Sequence, residues 1–392
     1  MRSSPAPRRA RIAATLAFAT NGALPASLLA RYAEVKTELG VDAALFGLLV
    51  AGYAVGGMLA LHLPGVISRR LGVTRAAVFG TVWIGAAFVL AAAGAATGQP
   101  WLFLLGLVLA GCGDAVVDVA QNSQGIRVQK AYGRSLLNTM HAGWSIGAAI
   151  GGGVGTAAAI AGLPLLVHMG LWAAFCILMM SLAARAFLRE PRPDAAPAPA
   201  PGNVPPPQPL RGRMVLVLLP LALIALAGVS VEDIGNNWSA ILLATERDLP
   251  VTSAGIGLSV LLGAQFIGRL LGDRLIDVLG DRRALALSLT AVIAGLSCAA
   301  WAPDAALTLA GLALAGLGSA ITVPIAFARA DAVPSLPAHS GVTWISWTMR
   351  TASIGLSPVI GVLSAVLSLP VALTAVVALA VLALLFSLPR RT

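Results

Sequence analysis

The chain has 392 residues, of which 58% are hydrophobic and only 11% are charged, and its formal net charge is +10. Soluble domains carry about 25% charged residues, so this composition excludes a water-soluble globular protein. It predicts a polytopic membrane protein, and the placement of its basic residues argues against nucleic-acid binding.

Twelve apolar segments, each bounded by charged residues, Gly or Pro, are long enough to cross a bilayer as helices of about 20 residues. The predicted fold class is therefore an all-α integral membrane protein with 12 transmembrane helices. The segments lie near 12–30, 44–66, 76–97, 101–122, 136–160, 163–187, 214–236, 253–276, 284–302, 305–328, 341–366 and 369–388.

The Lys and Arg residues predict the orientation of these segments. Of the 26, 22 fall at the N terminus, in every second loop or at the C terminus, whereas the alternate loops hold only Arg31, Lys36 and Arg247. Basic loops stay in the cytoplasm, so both termini are predicted to be cytoplasmic in a bacterial-type inner membrane. We expect no cleavable signal peptide, because the first apolar run is full length.

The fourth segment contains the most informative polar residues. Asp114 and Asp118 lie four residues apart on one helical face, and Asn122 lies one turn further on. An aspartate at the centre of a membrane helix costs about 2.5–3.5 kcal/mol, so such residues normally face a water-filled cavity or a partner. Burial disfavours the charged form, and a neighbouring acid disfavours it further, so the pair could take up and release protons. Alternatively, Asp118 is a solvated cap or a structural partner of Arg127 or Arg134.

The fifth segment places His141 and Trp144 on nearly the same face. Imidazole and indole together suit a polyhydroxylated or aromatic ligand, although a helix-start histidine is often interfacial and an isolated tryptophan is often packing. Glycines at every fourth position predict a close helix-packing seam on this segment. They are Gly143, Gly147, Gly151 and Gly155.

A proline-rich stretch follows the sixth segment, where residues 190–209 read EPRPDAAPAPAPGNVPPPQP. Proline cannot continue a helix, so we predict an extended cytoplasmic linker. The predicted division is an N-terminal six-helix bundle over 1–189, a linker over 190–212 and a C-terminal six-helix bundle over 213–392. The bundles are matched by three internal repeats, which indicate duplication. These repeats pair 106–115 with 311–320, 65–75 with 273–283, and 145–147 with 353–355.

Two polar features mark the second half. Glu232, Asp233, Asn236, Asn237 and Trp238 crowd one end of the seventh segment. Arg350 lies about ten residues, or ~15 Å, into the eleventh segment and needs a partner at that depth. By contrast, Arg269 and Asp273 are spaced to form a local pair on the eighth segment.

The loop Asp277-x-x-Gly280-x-Arg282-Arg283 resembles the cytoplasmic loop motif of the major facilitator superfamily. The first-half copy departs from that motif, with Arg69 in place of the acid. The resemblance implies two pseudosymmetric six-helix bundles that move against each other. It also implies a gating role for Asp277 and Arg282. In that fold the fourth and eleventh helices approach each other when the cavity opens outward, so we predict that Arg350 then meets Asp114 or Asp118 and separates from it inward-open.

Three stretches resemble a narrower branch, that of the fucose permeases, the fungal "bypass of stop codon" proteins and YbjJ-type bacterial inner-membrane transporters. They are Asp118–Asn122, Met140–Gly147 and Glu232–Trp238. The resemblance implies proton coupling at Asp118 and solute binding around Asn122, His141, Glu232, Asn236 and Trp238. The first helix offers Asn21 where the fucose permease has a carboxylate, so sugar specificity is not implied.

These observations favour a secondary active transporter that takes up a small polar solute, sugar-like or a related metabolite, together with protons. The alternatives are proton-driven efflux of an organic compound and a transporter-like sensor that moves no ligand. No catalytic triad, metal cluster or phosphate loop is visible, and the three cysteines lie in apolar segments, so we expect neither an enzyme nor a cofactor, metal or disulfide. The expected partners are the solute, protons and the lipid bilayer, and the expected state is a monomer.

Overall fold

The structure is a computed structural model, and it describes residues 5–60, 62–133, 136–188, 212–331, 333 and 340–387. Within these ranges the side chains of 5–7, 137–138, 212–216, 273, 331, 340 and 342–343 are not described. The predicted linker over 190–209 lies outside the described residues, so the linker and the domain boundaries around it stay predictions.

The regular structure of the described residues is entirely helical. A π-helical turn, Ile234–Trp238, joins the helices α9 and α10. The helices are α1 (Pro5–Leu29), α2 (Tyr32–Leu39), α3 (Ala43–Leu59), α4 (Leu63–Leu71), α5 (Val73–Ala96), α6 (Pro100–Tyr132), α7 (Leu137–Ile160), α8 (Leu165–Ala184), α9 (Gly212–Asp233), α10 (Ser239–Glu246), α11 (Ile256–Trp301), α12 (Ala305–Ser319), α13 (Thr322–Asp331), α14 (Ser340–Val366) and α15 (Leu369–Ser387).

Ten helical units in the described ranges are long and apolar enough to cross a membrane, and the bent pair α3 and α4, which meet at 59°, makes an eleventh. A shorter apolar helix, Ile256–Gly272, forms the first part of α11. With that helix the described units account for all twelve predicted spans, which confirms the predicted fold class.

Two glycines make equivalent turns in the two halves of the chain. Gly72, between α4 and α5, has φ 78° and ψ 154°, and Gly280, inside α11, has φ 76° and ψ 152°. Positive φ of this kind is open to glycine at little cost, whereas a Cβ would strain the backbone. The two residues occupy the same place in the repeated loops 65–75 and 273–283, so the duplication predicted from the sequence extends to backbone geometry.

Glycine contacts between neighbouring helices are also repeated. In each half three glycines of the fourth span lie so close to the preceding helices that an added Cβ would overlap a neighbouring atom. The equivalent contacts are Gly106 on Ala91 and Gly311 on Ala299, Gly111 on Tyr53 and Gly316 on Leu261, and Gly113 on Ile84 and Gly318 on Val292.

The glycine ridge of α7 is a packing seam against α1, as predicted. A Cβ on any of these four glycines would meet the backbone or side chain of a residue on α1. The contacts are Gly143 with Thr15, Gly147 with Ala19, Gly151 with Ala23 and Gly155 with Ser27. Small residues allow such close backbone approach between membrane helices.

The two halves contact each other at one end of the bundle, where α1 ends and α3 begins. There Gly47 of α3 lies against the carbonyl oxygen of Ser357 in α14, and Gly152 of α7 lies against the hydroxyl of Ser259 in α11. We call this the closed end. At the opposite end, which we call the open end, the side chains of Asp118, His141 and Arg350 are exposed.

Candidate functional site

A central cavity of about 240 Å³ lies between the two halves, and residues of both halves line it. The lining is polar and aromatic, although the protein as a whole is apolar. Polar groups inside a membrane domain are energetically costly, so their concentration here indicates a functional site. The first half contributes Asn21, Tyr32, Tyr53, Phe88, Asp114 and Trp144, and the second half contributes Glu232, Asp233, Asn236, Asn237, Ser353 and Ser357.

Asp114 of α6 lies in the wall of this cavity and is held by two neutral groups. The Nδ2 atom of Asn21, in α1, donates to Asp114 Oδ1 at 3.1 Å. The hydroxyl of Tyr53, in α3, also interacts with this carboxyl group. The Tyr53 ring is stacked on Phe88, with ring centroids 6.1 Å apart, which fixes the position of the hydroxyl. Three helices therefore orient one carboxyl group towards the cavity.

Asp118 lies one turn closer to the open end and outside the set of residues that line the cavity. The Nδ2 atom of Asn122 donates to its Oδ1 at 2.8 Å. His141 and Arg350 both lie in the neighbourhood of Asp118, but no ion pair joins Arg350 to Asp118 or to Asp114. The His141 ring packs edge-on against Phe18 at 4.9 Å instead of facing the cavity. Asp118, Asn122, His141 and Arg350 thus form a vestibule group at the open end.

Glu232 of α9 also lines the cavity, and unlike Asp114 it has a cationic partner among the described residues. Arg269 Nη2, in α11, lies 2.9 Å from Glu232 Oε1, and Gln265 Nε2 donates to the same oxygen at 2.8 Å. The Nη1 atom of Arg269 also donates to the hydroxyl of Ser145, in α7. Arg269 therefore connects the two halves beside the cavity.

This role of Arg269 was not predicted: the spacing of residues predicts a pair with Asp273, whose side chain is not described. A signal was present, because Arg269 lies 13 residues, or about 20 Å, from the start of α11 at Ile256. Arg350 was singled out because a charged side chain at such a depth in a membrane span needs a partner, and the same reasoning applies to Arg269.

Asp233, next to Glu232, also lines the cavity and was not among the predicted site residues. Ser357 Oγ, in α14, donates to its carboxyl group at 2.8 Å, and Asn237 Nδ2 donates to Asp233 Oδ1 at 2.9 Å. Among the described residues no basic side chain forms an ion pair with Asp233. Asp233 and Asp114 are thus two carboxyl groups, one from each half, that face one cavity.

The π-helical turn after Asp233 directs the predicted binding residues Asn236 and Trp238 to different surroundings. Asn236 lines the cavity, and its amide makes no hydrogen bond with any described side chain. Trp238 is fully buried, and its Nε1 donates to Ser357 Oγ at 3.2 Å while its ring packs against Phe46. In this conformation Trp238 supports the closed end and is not among the residues that line the cavity, so its predicted contact with the solute stays a prediction.

The remaining predicted residues lie on different sides of the site. Trp144 is half-buried and lines the cavity, as a solute-binding residue would. Asp277 and Arg282 are both exposed and flank Gly280, remote from the cavity lining. Their position at the open end is compatible with gating, which remains a prediction.

Comparison with known proteins identifies relatives over nearly the whole chain. The family model described as Major Facilitator Superfamily matches residues 12–358. An uncharacterised MFS-type transporter of Yersinia pestis is 30% identical over 347 residues, which cover 86% of this chain and 84% of that protein. Among solved structures, the nucleoside transporter NupG aligns with a TM-score of 0.69 at 15% identity, covering 98% of both chains. The fucose:proton symporter FucP of E. coli aligns with a TM-score of 0.60 at 18% identity, again covering 98% of both chains.

Proposed function

The chain belongs to the major facilitator superfamily and is a transporter of that type, and we propose that it takes up a small polar solute together with protons. The observation that carries this proposal is the placement of Asp114. Its carboxyl group lies in the wall of a cavity that both halves line, and among the described residues no basic side chain forms an ion pair with it. A proton bound to Asp114 and a solute bound in the cavity would therefore be in direct contact, so each can change the affinity for the other.

Proton coupling at Asp114 follows from the cost of an uncompensated charge inside the bundle. A buried carboxylate without a cationic partner is disfavoured, so binding of a proton stabilises the conformation that buries it. Coupling arises when the two conformations bind the proton with different affinities. Asp114 is better placed for this role than Asp118, which is exposed at the open end and is not among the residues that line the cavity.

The proposed orientation places the open end in the cytoplasm. The Arg-rich loops, which contain Arg69, Arg70 and Arg75 after the second span and Arg282 and Arg283 after the eighth, lie at that end, and such loops stay on the cytoplasmic side. In this orientation the cavity opens inward, which is the solute-releasing conformation of an uptake cycle.

The proposed solute class draws on the cavity and on related structures. Asn21, Asn236 and Trp144 offer amide hydrogen bonds and a stacking surface, which suit a hydroxylated solute. NupG and FucP, which share the fold, are described as a nucleoside transporter and a fucose:proton symporter. We also propose that the chain belongs to the fucose permease branch of the superfamily, which its sequence resembles.

The experiment that tests the proposal is gradient-driven uptake into proteoliposomes. Purified protein is reconstituted, an inward-directed proton gradient is imposed, and solutes accumulated from a defined metabolite mixture are identified by mass spectrometry. We expect at least one polar solute to accumulate above equilibrium only while the gradient lasts. Accumulation only with the reversed gradient would indicate export, and binding without any flux would indicate a sensor; either result would refute proton-coupled uptake.

A further inference from the structure

The charges around the central cavity do not balance. Three acids line it, namely Asp114, Glu232 and Asp233, and no lysine, arginine or histidine is among the described lining residues. Arg269, directly behind the lining, is within 2.9 Å of Glu232 and so neutralises that acid. Among the described residues, no lysine, arginine or histidine forms an ion pair with Asp114 or Asp233. Their hydrogen-bond partners Asn21, Tyr53, Ser357 and Asn237 are neutral and orient the carboxyl groups without compensating their charge.

We infer that the transported solute is cationic, a small hydroxylated solute with a protonated amine that binds between Asp114 and Asp233. This inference rests on the proposed function and names its substrate class. The two carboxyl groups come from opposite halves, so one ammonium group can contact both halves at once. With one solute cation and one proton bound, the two carboxylates are neutralised, which matches a cycle that carries solute and proton together.

Further features of the lining favour an amine over a neutral or anionic group. Tyr32, Tyr53, Phe88 and Trp144 present aromatic side chains to the cavity, and aromatic faces attract ammonium groups. The amide of Asn236, which has no described hydrogen-bond partner, is free to bind a hydroxyl of the solute. A carboxylate or phosphate on the solute would be repelled by Asp114 and Asp233 and would meet no cation on the lining.

The test uses matched sets of small molecules that differ only in charge. Each set contains an amine, its hydroxyl analogue and its carboxylate analogue on one carbon skeleton, for example glucosamine, glucose and gluconate, together with sets built on shorter amino alcohols. The melting temperature of the purified protein is measured with each compound, because a ligand of the native state raises it. We expect the amines to raise the melting temperature and their hydroxyl and carboxylate analogues to have a much smaller effect.

Variants show whether the two acids cause this preference. Asp233→Asn and Asp114→Asn should each weaken amine binding at least ~10-fold, the usual loss when a charge-assisted hydrogen bond is removed. Asp233→Glu, which keeps the charge, should restore part of the affinity and shows that loss in the Asn variant is not a folding defect. Asp281→Asn removes an exposed acid beside Gly280 and serves as the matched control, with unchanged affinity expected.

Each outcome decides the inference. Equal or tighter binding of the hydroxyl analogues, undiminished amine binding in both Asn variants, or no binding of any amine would overturn it. If the hydroxyl analogues bind and accumulate with protons in proteoliposomes, the inference fails while the proposed function stands. If no solute is moved in either direction, the proposed function fails as well.

Discussion

The fourth span of each half, α6 in the first and α12 in the second, shows how a duplicated scaffold can carry different chemistry. Gly106 and Gly311 make the same contact with the preceding helix, on Ala91 and Ala299. A few residues later Asp114 faces the cavity, whereas its repeat partner Ser319 accepts a hydrogen bond from Gln265 at 3.2 Å and is buried. Packing positions are therefore shared between the halves, and the titratable group belongs to one of them.

The fifth spans of the halves differ in packing as well. Gly147 of α7 lies against the backbone of Ala19, but an added Cβ on its repeat partner Gly355 of α14 would meet no atom of the described residues within 4 Å. Helix α7 is thus fixed to α1, while α14 contacts the opposite half at the closed end through Ser357. The difference is local, because Gly341 and Gly361 of α14 lie against the backbone of Ala330 and Ala43.

The largest expected effect is on proton-driven accumulation, and it comes from replacing Asp114, the acid whose repeat partner in the second half is Ser319. Asp114→Asn should reduce pH-driven accumulation to the equilibrium level, because its amide cannot take up and release the proton. Ser319→Ala, at the repeated position, should retain most of the uptake. Both variants are compared in proteoliposomes with equal protein content, and uphill transport by Asp114→Asn would move the coupling role to Asp118 or Asp233.

The next largest effect is on stability, and it should differ between the glycines at 147 and 355 in the fifth spans. Gly147→Ala should lower the free energy of unfolding by roughly 1–3 kcal/mol, because the new methyl group overlaps the backbone of α1. Gly355→Ala should be neutral or stabilising by up to about 1 kcal/mol, because it meets open space and favours helix. Chemical denaturation in detergent micelles measures both, and equal losses would show that α14 is packed as tightly as α7.

A smaller effect is expected at the connection between the halves. Arg269→Met removes the cation beside Glu232 and should destabilise the protein by about 1–2 kcal/mol, since both side chains are only partly exposed. Adding Glu232→Gln should recover part of that loss, because the unpaired charge is then gone. Additive losses in thermal unfolding of the double variant would indicate that the two residues do not act as a pair.

The smallest effect concerns the populations of two conformations. Arg350 is separated from Asp118 here, and we predict that the two meet when the open end closes. Arg350→Ala and Asp118→Asn should each favour the conformation described here, and the double variant should shift it no further. Cysteine accessibility at the open end measures the shift, and an additive result would contradict the pairing.

The spans and turns could be predicted from the sequence because they follow from local composition. Apolar runs, basic loops and the glycines at 72 and 280 can each be recognised from the residues next to them in the sequence. The cavity could be predicted only in part: Asp114 and Trp144 were found from depth and helical face, but Asp233 and the role of Arg269 were not. Their partners, Ser357 and Ser145, lie more than 100 residues away in the chain, and no local pattern reports such contacts. The burial of Trp238 outside the cavity lining could not be predicted either, because it depends on the π-helical turn at Ile234–Trp238.

The central claim is that the two halves alternate between closure at one end and closure at the other. Spin-label distances test it without any knowledge of the solute, in a background whose three native cysteines are replaced. One label pair joins Glu38 to Val366 at the closed end, and a second joins Lys130 to Val278 at the open end; all four residues are exposed. We predict two populations in which one distance lengthens as the other shortens, with the balance changed by Asp114→Asn. A closed-end distance that stays short at every pH and in every variant would contradict alternating access.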